Sequence, residues 1–114
     1  MTAPGAKPSD DTPLDASGLV IGVVAARWNP DIVERLQRGA VAAVSDCGAT
    51  AVAASAPGAF ELPYAAQVLA QSGQVDAVVV VGAVIRGETT HYELVSEGCA
   101  SGVMSVQLAT RIPI

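Results

Sequence analysis

A run of four valines, Val78 to Val81, constrains the fold of this chain more than any other segment. A continuous apolar run without polar alternation is typical of a strand buried on both faces in a parallel α/β sheet. The next segment, GAVIRGETTHY at residues 82–92, contains His91, the single histidine. Open α/β sheets bind ligands just beyond the carboxyl ends of their strands. The side chain that titrates nearest to neutral pH is therefore expected at the edge where such a fold places its site.

The patterns on either side of this run predict an alternation of strands and helices. We expect strands at 19–26, 50–56 and 76–82, and helices at 31–47, 62–71 and 90–108. The order β-α-β-α-β-α predicts one α/β domain over residues 19–114, with a parallel sheet, right-handed crossovers and helices on both faces. Residues 1–18, rich in Pro, Ser, Asp and Gly, are predicted to form a flexible tail, and Pro113-Ile114 resembles the entry to a fourth strand.

A few residues predict where the first helix begins and which faces of the helices make close contacts. Asn29 is a candidate N-cap of the first helix, with Pro30 at its first helical position. The apolar repeat predicted to face the core of this helix is Ile32, Leu36, Ala40 and Val44. In the third helix Gly98 and Gly102 each cost ~1 kcal/mol relative to Ala. They suggest close approach of another backbone, although a loosely constrained helix is the alternative.

The composition of the chain limits the kinds of molecule that it is expected to bind. The chain has 114 residues, of which 51% are hydrophobic and 15% charged. This apolar excess suggests contact with other subunits, although an Ala- and Val-rich sequence from a GC-rich genome would look the same. The net charge of −5 and six scattered basic residues argue against nucleic acid and against anionic membrane surfaces. No apolar run approaches the ~20 residues of a membrane span.

The cysteines and the first residues of the chain indicate the cellular compartment of the protein. Cys47 and Cys99 lack CxxC or zinc-type spacing, so we expect buried thiols and neither a disulfide nor a metal site. The first 18 residues have no apolar core of a secretory signal. Together these features predict a cytoplasmic protein.

Three strand-to-helix loops, at 27–30, 57–61 and 82–91, should meet because parallel strands end at the same edge. Trp28 can stack on a planar heterocycle, or else cap the helix or contact a subunit. The Pro-Gly pair at 57–58 lets backbone approach a ligand closely. Phe60 suits a core position as well as a ligand contact. Glu61 can hold a sugar or ribityl hydroxyl, or favour the first turn of the second helix.

The third loop suggests an anion site. Gly87, Glu88 and Thr89 are predicted at the N-terminus of the third helix, where free N–H groups and the helix dipole favour anions. Glu88 would contribute its N–H and Thr89 its hydroxyl, while His91, one turn in, would move protons. A plain helix cap and a surface histidine are the alternatives.

Three strings in combination carry a resemblance: R-[FW]-N, PGAFE-[IL]-P and G-x-VIRG-x-TTH-[FY]-[DE]. Over residues 19–114 the chain closely resembles the 6,7-dimethyl-8-ribityllumazine synthases. The resemblance implies a flavodoxin-like three-layer α/β/α sandwich and homo-oligomers, either pentamers or larger shells. It implies condensation of 5-amino-6-(D-ribitylamino)uracil with 3,4-dihydroxy-2-butanone 4-phosphate, the penultimate step of riboflavin biosynthesis. Phosphate and water are released, without a metal or redox cofactor.

The resemblance also assigns roles by position. Trp28 matches the aromatic residue that stacks on the pyrimidine, Glu88 and Thr89 match the phosphate-binding pair, and His91 matches the proton-transfer residue. The remaining matches to the uracil-binding segments are Ala59, Phe60, Glu61, Ala83, Val84 and Ile85.

Members of this family continue beyond the position of Ile114. The resemblance therefore implies a chain truncated at its C-terminus, with the last strand and the C-terminal helices missing. That portion carries an aromatic that packs on the substrate of a neighbouring subunit and an arginine that binds the phosphate. Two alternatives to a full synthase follow: a catalytically weak or inactive shell subunit of the same fold, and a related pentameric riboflavin synthase.

Overall fold

A computed structural model describes Gly5, Thr12 and residues 14–114. Its elements are β1 (Val20–Ala26), α1 (Pro30–Asp46), β2 (Thr50–Ala56), a 3-10 turn (Ala59–Glu61), α2 (Leu62–Gln71), β3 (Ala77–Val81) and α3 (His91–Thr110). Every predicted strand and helix is present, and their ends differ from the predicted ones by two residues at most. The 3-10 turn is the element that the sequence patterns did not indicate.

The three strands form a parallel sheet in the order β2-β1-β3. Val23 in the central strand pairs with Ala53 on one side and Val79 on the other. Because the chain adds β2 on one side of β1 and β3 on the other, right-handed crossovers place α1 and α2 on opposite faces. This is the flavodoxin-like α/β arrangement predicted from the sequence, and all three strands point their carboxyl ends to one edge.

Small residues form the core between the sheet and α2. A Cβ on Gly22 of β1 would lie 3.0 Å from Cδ1 of Leu69, so α2 approaches the strand closely at this point. Val23 and Val24 are fully buried on successive positions of β1, which shows that the central strand is covered on both faces. The cluster of buried residues on the α2 side is Val24, Ala26, Ala56, Ala59, Leu62, Ala66, Val75 and Val78.

The predicted buried face of α1 is wrong at its first two positions, whereas its last two positions are half-buried. Ile32 and Leu36 are 46% and 44% exposed, whereas Val33 is 1% exposed. Half-buried Gln37 also lies on the sheet side, where its Nε2 donates to carbonyl oxygens of β1 and β2 at 3.4 and 3.3 Å. A pattern that counts apolar residues assigns Gln37 to solvent, but these two acceptors satisfy its amide over the sheet.

The valine run forms β3, but only Val78 is fully buried and the other residues are half-buried. Val78 N donates to the carbonyl oxygen of Pro113 at 2.9 Å. Ile114 N donates to Oε1 of Gln107 at 2.8 Å, and Ile112 and Ile114 pack against the core cluster. The last residues therefore run beside β3, at the place predicted for the start of a fourth strand.

The predicted flexible tail, 1–18, lies mostly outside the described residues. Within its described part, Ala16 N donates to the carbonyl oxygen of Cys47 at 2.7 Å, which fastens this segment to the end of α1. The hydroxyl and the backbone N–H of Ser17 both donate to Oδ1 of Asp15. These two hydrogen bonds hold the pKa of the Asp15 carboxyl below its usual value.

Candidate active site

A cleft of about 640 Å³ opens at the carboxyl edge of the sheet. Its volume is in the range of small-molecule sites. Residues of all three strand-to-helix loops line it, together with the first turns of α3. The lining residues are Trp28, Asn29, Gly58, Ala59, Phe60, Glu61, Ala83, Val84, Ile85, His91, Leu94 and Val95. The structure thus brings the three loops together at one place, as the parallel sheet predicts.

Most of the predicted site residues share this cleft. Trp28, the segments 59–61 and 83–85, and His91 all line it, whereas Glu88 and Thr89 do not. The further lining residues are Asn29, Gly58, Leu94 and Val95. Of these four residues, Asn29 was predicted as a helix cap and Gly58 as a place where backbone approaches a ligand closely, whereas Leu94 and Val95 were not among the predicted site residues.

Trp28 projects from the loop after β1 with 72% of its surface exposed. Arg27 N donates to the carbonyl oxygen of Ala56 at 2.9 Å, so the first two loops leave the sheet side by side. A Cβ on Gly58 would lie 3.1 Å from Cδ1 of the indole and 3.2 Å from Oε2 of Glu61. The glycine therefore gives the indole a close backbone support while most of the ring remains open to a ligand.

Asn29 joins the first loop to the third. Its backbone is left-handed, with φ 56° and ψ 56°, a conformation that Asn tolerates better than most side chains. It occupies the N-cap position of α1 as predicted, but its side chain makes no capping hydrogen bond. Instead Nδ2 donates to the carbonyl oxygen of Ala83 at 3.1 Å. The motif R-W-N-P carries no signal for this long-range contact.

The second loop enters the cleft as the 3-10 turn. Gly58 is extended, with φ −155°, and its carbonyl oxygen accepts from Glu61 N at 3.2 Å. Ala59 is buried, while Phe60 is 55% exposed and Glu61 is also exposed. The turn therefore offers the cleft one aromatic wall and one carboxylate, which is an acceptor for hydroxyl groups.

The third loop is held at several points along its length. A Cβ on Gly82 would lie 3.2 Å from Cδ1 of Leu62, so the loop begins in close contact with α2. Beyond the Ala83 carbonyl, the guanidinium of Arg86 lies 5.6 Å from the ring centroid of Tyr92, a cation–π distance. These contacts flank residues 83–85, which line the cleft.

α3 begins at His91, so this histidine is the first helical residue and does not lie one turn in. Glu88 and Thr89 are exposed and precede the helix. Oγ1 of Thr89 accepts from His91 N at 3.3 Å, which gives this hydroxyl a capping role at the start of the helix. The side chain of His91 is exposed and lines the cleft, where it can exchange protons with a bound molecule.

Leu94 and Val95 extend the His91 side of α3 into the cleft. Residues three and four positions apart share one face of a helix, so the spacing from His91 was a signal that could have identified them. Leu94 is 63% exposed, so its side chain is accessible at the cleft.

Among the residues that the structure describes, no three His, Cys, Asp or Glu side chains are grouped as metal ligands. None of the helices in the described part of the chain has the length and hydropathy of a membrane-spanning segment. Cys47 and Cys99 are free thiols that are half-buried, whereas full burial was predicted, and partial burial raises the pKa of Cys99.

Known proteins are similar in sequence to this chain over most or all of its length. A family model described as 6,7-dimethyl-8-ribityllumazine synthase matches residues 18–114. The chain is 44% identical over 115 residues to the 6,7-dimethyl-8-ribityllumazine synthase of Kocuria rhizophila, covering 100% of the chain and 72% of that protein. The synthase of Clavibacter sepedonicus is 40% identical over 114 residues (100% and 71%). That of Cupriavidus metallidurans is 42% identical over 104 residues (89% and 62%).

Proposed function

The chain belongs to the 6,7-dimethyl-8-ribityllumazine synthase family, and we propose that its cleft carries out the reaction named by that family. The substrates would be 5-amino-6-(D-ribitylamino)uracil and 3,4-dihydroxy-2-butanone 4-phosphate, and the product would be the lumazine that precedes riboflavin. One observation carries this proposal: an open indole, two peptide segments and an imidazole surround a cleft of about 640 Å³.

The uracil substrate is assigned to the part of the cleft beside Trp28. The exposed indole offers a flat surface for the pyrimidine ring, and stacking of this kind is tolerant of ring substituents. The peptide groups of 59–61 and 83–85 border the same space and offer donors and acceptors for the polar edge of the ring. The exposed carboxylate of Glu61 can accept hydrogen bonds from ribityl hydroxyls.

The phosphate of the second substrate is assigned to the turn that carries Glu88 and Thr89. This turn lies immediately before α3, whose N-terminus favours anions through its dipole. Glu88 would contribute its backbone N–H, since its carboxylate would repel phosphate. The Thr89 hydroxyl, already an acceptor for His91 N, can donate its own proton to a phosphate oxygen.

The proposed reaction needs proton transfer and close placement. The amine of the uracil adds to the ketone, water leaves to form an imine, phosphate is eliminated, and the ribitylamino nitrogen closes the ring onto the remaining carbonyl with loss of a second water. His91 lines the cleft and its backbone N–H donates to Oγ1 of Thr89, which supports a role for one imidazole in successive proton transfers. Holding two substrates in register can itself supply ~7–11 kcal/mol of the barrier.

We also propose that the chain acts as a homo-oligomer, a pentamer or a larger shell, in the cytoplasm. Large apolar side chains remain exposed on α2 and α3, which supports association. They are Val68, Leu94, Met104 and Leu108, at 52%, 63%, 54% and 71% exposure. Free thiols at both cysteines are consistent with a reducing compartment.

A product assay tests the function. Purified protein is mixed with both substrates, and lumazine absorbance and phosphate release are followed together against the uncatalysed background. Lumazine and phosphate formed in equal amounts above background are expected. Folded protein that adds nothing to the background would contradict the enzyme and favour a shell subunit. Turnover of two lumazine molecules in place of this condensation would favour a riboflavin synthase.

A further inference from the structure

The Phe60 ring lies against a glycine of α3. A Cβ built on Gly98 would be 2.6 Å from Cε2, 3.1 Å from Cδ2 and 3.6 Å from Cζ of this ring. Phe60 also lines the cleft and is 55% exposed. One edge of the ring therefore rests on the bare backbone of α3, while much of the remaining ring surface is open.

A second glycine makes the same kind of contact one turn later. A Cβ on Gly102 would lie 2.6 Å from Cγ and 2.8 Å from Cβ of Pro63. The two glycines continue the side of α3 that carries Val95 in the cleft. The sequence suggested close approach of another backbone at these positions, and the structure shows two side-chain rings of the segment 60–63 in contact with α3.

We propose that Gly98 is a positioning residue: it gives the Phe60 ring its place at the wall of the cleft, and thereby sets the affinity for the uracil substrate. This inference rests on the proposed function. Glycine inside a helix is destabilising relative to Ala, and Gly98 lies well inside the 20-residue helix α3. No left-handed backbone is needed at Gly98, so the space taken by the Phe60 ring is the feature that favours glycine.

The two glycines differ in what an added methyl group would displace. At Gly98 the obstacle is the far edge of an exposed aromatic side chain, which can rotate away from α3 and change the shape of the cleft. At Gly102 the obstacle is a half-buried proline ring in the first turn of α2, which cannot rotate. Gly98→Ala should therefore alter the cleft, whereas Gly102→Ala should strain the contact between α3 and α2.

Steady-state kinetics compare the two substitutions. For Gly98→Ala we expect KM for the uracil substrate to rise about ten-fold, the lower end of the effect of one methylene on a pocket, with kcat within about two-fold. Gly102→Ala is the matched control, with KM unchanged and a lower melting temperature. In a Phe60→Ala background the Gly98→Ala substitution should cause no further rise in KM. Equal KM for Gly98→Ala and wild type, or an equal rise for both glycine variants, would overturn the proposal.

Ring placement can also be measured without turnover, because Phe60 is the single phenylalanine. Phenylalanine labelled with ¹³C at the ε positions gives NMR signals from this ring alone. In unliganded protein Gly98→Ala should shift the signal and Gly102→Ala should leave it in place. Coincident signals for Gly98→Ala and wild type would overturn the positioning role. If the wild-type signal does not shift when saturating uracil substrate is added, the proposed function is contradicted instead.

Discussion

The side-chain amide of Asn29 donates a hydrogen bond of 3.1 Å to the carbonyl oxygen of Ala83. The two residues are 54 positions apart in the chain and belong to the loops that follow β1 and β3. This contact joins the loop that presents Trp28 to the loop that presents residues 83–85. This part-buried hydrogen bond therefore contributes to the relative placement of the two walls of the cleft.

Two replacements of Asn29 should separate the contribution of this hydrogen bond to stability from the contribution of the left-handed backbone at Asn29. Asn29→Gly removes the donor but keeps a residue that accepts φ 56°, and should lower the free energy of unfolding by ~1 kcal/mol. Asn29→Ala should lower it by roughly a further 1 kcal/mol because Ala resists the left-handed conformation. Urea unfolding measures both. Equal stability of the two variants would show that the left-handed backbone is not a constraint here.

Trp28→Ala should weaken binding of the uracil substrate by ~1–3 kcal/mol, the range for aromatic stacking on a base. The melting temperature should change little, because the indole is 72% exposed. Trp28→Phe is the control, since it keeps a flat ring and should retain much of the affinity. Calorimetric titration of the uracil gives the three affinities. An Ala variant that binds as tightly as wild type would remove Trp28 from the site.

His91→Ala should reduce kcat modestly, by about ten-fold, which is less than the ~10²–10⁴ typical of a general acid–base group. The reason is that proximity of the two substrates supplies much of the rate. KM for the uracil substrate should stay close to that of wild type. Steady-state rates at saturating substrates measure the effect, and a loss of all turnover would show that proton transfer dominates over positioning.

The Thr89 hydroxyl accepts a hydrogen bond at the start of α3 and is assigned to the proposed phosphate site. Thr89→Val should raise KM for the butanone phosphate, because both the hydrogen-bond donor and the acceptor for His91 N are lost. Thr89→Ser keeps the hydroxyl and should restore KM. The affinity for the uracil substrate should be similar in all three proteins. If Val and Ser variants share the wild-type KM for the phosphate substrate, the phosphate does not bind through this hydroxyl.

Sequence patterns predicted the order of elements and the meeting of the loops. Hydrophobic runs and turn residues fix the strands and helices locally, and a parallel sheet then brings 27–30, 57–61 and 82–91 to one edge. That reasoning depends on topology alone, so it succeeds without knowledge of any side-chain contact. Trp28 and His91 both line the cleft for this reason.

Contacts that depend on side-chain packing were not predictable in the same way. Apolar spacing favoured Ile32 over Gln37 for the buried face of α1, yet two sheet carbonyls accept from the Gln37 amide. The position of Asn29 predicted a local cap, but its amide reaches a carbonyl far away in the chain. The two glycines of α3 predicted the close approach of another backbone. The structure instead places the side-chain ring of Phe60 against Gly98.

A crystal structure of the protein with 5-amino-6-(D-ribitylamino)uracil would show directly whether the cleft at the carboxyl edge of the sheet binds this substrate. We expect the pyrimidine ring to lie against the indole of Trp28, with its polar edge toward the peptide groups of 59–61 and 83–85. The ribityl chain should lie within hydrogen-bond distance of Glu61. A uracil bound away from the carboxyl edge of the sheet, with the indole uncovered, would contradict this expectation.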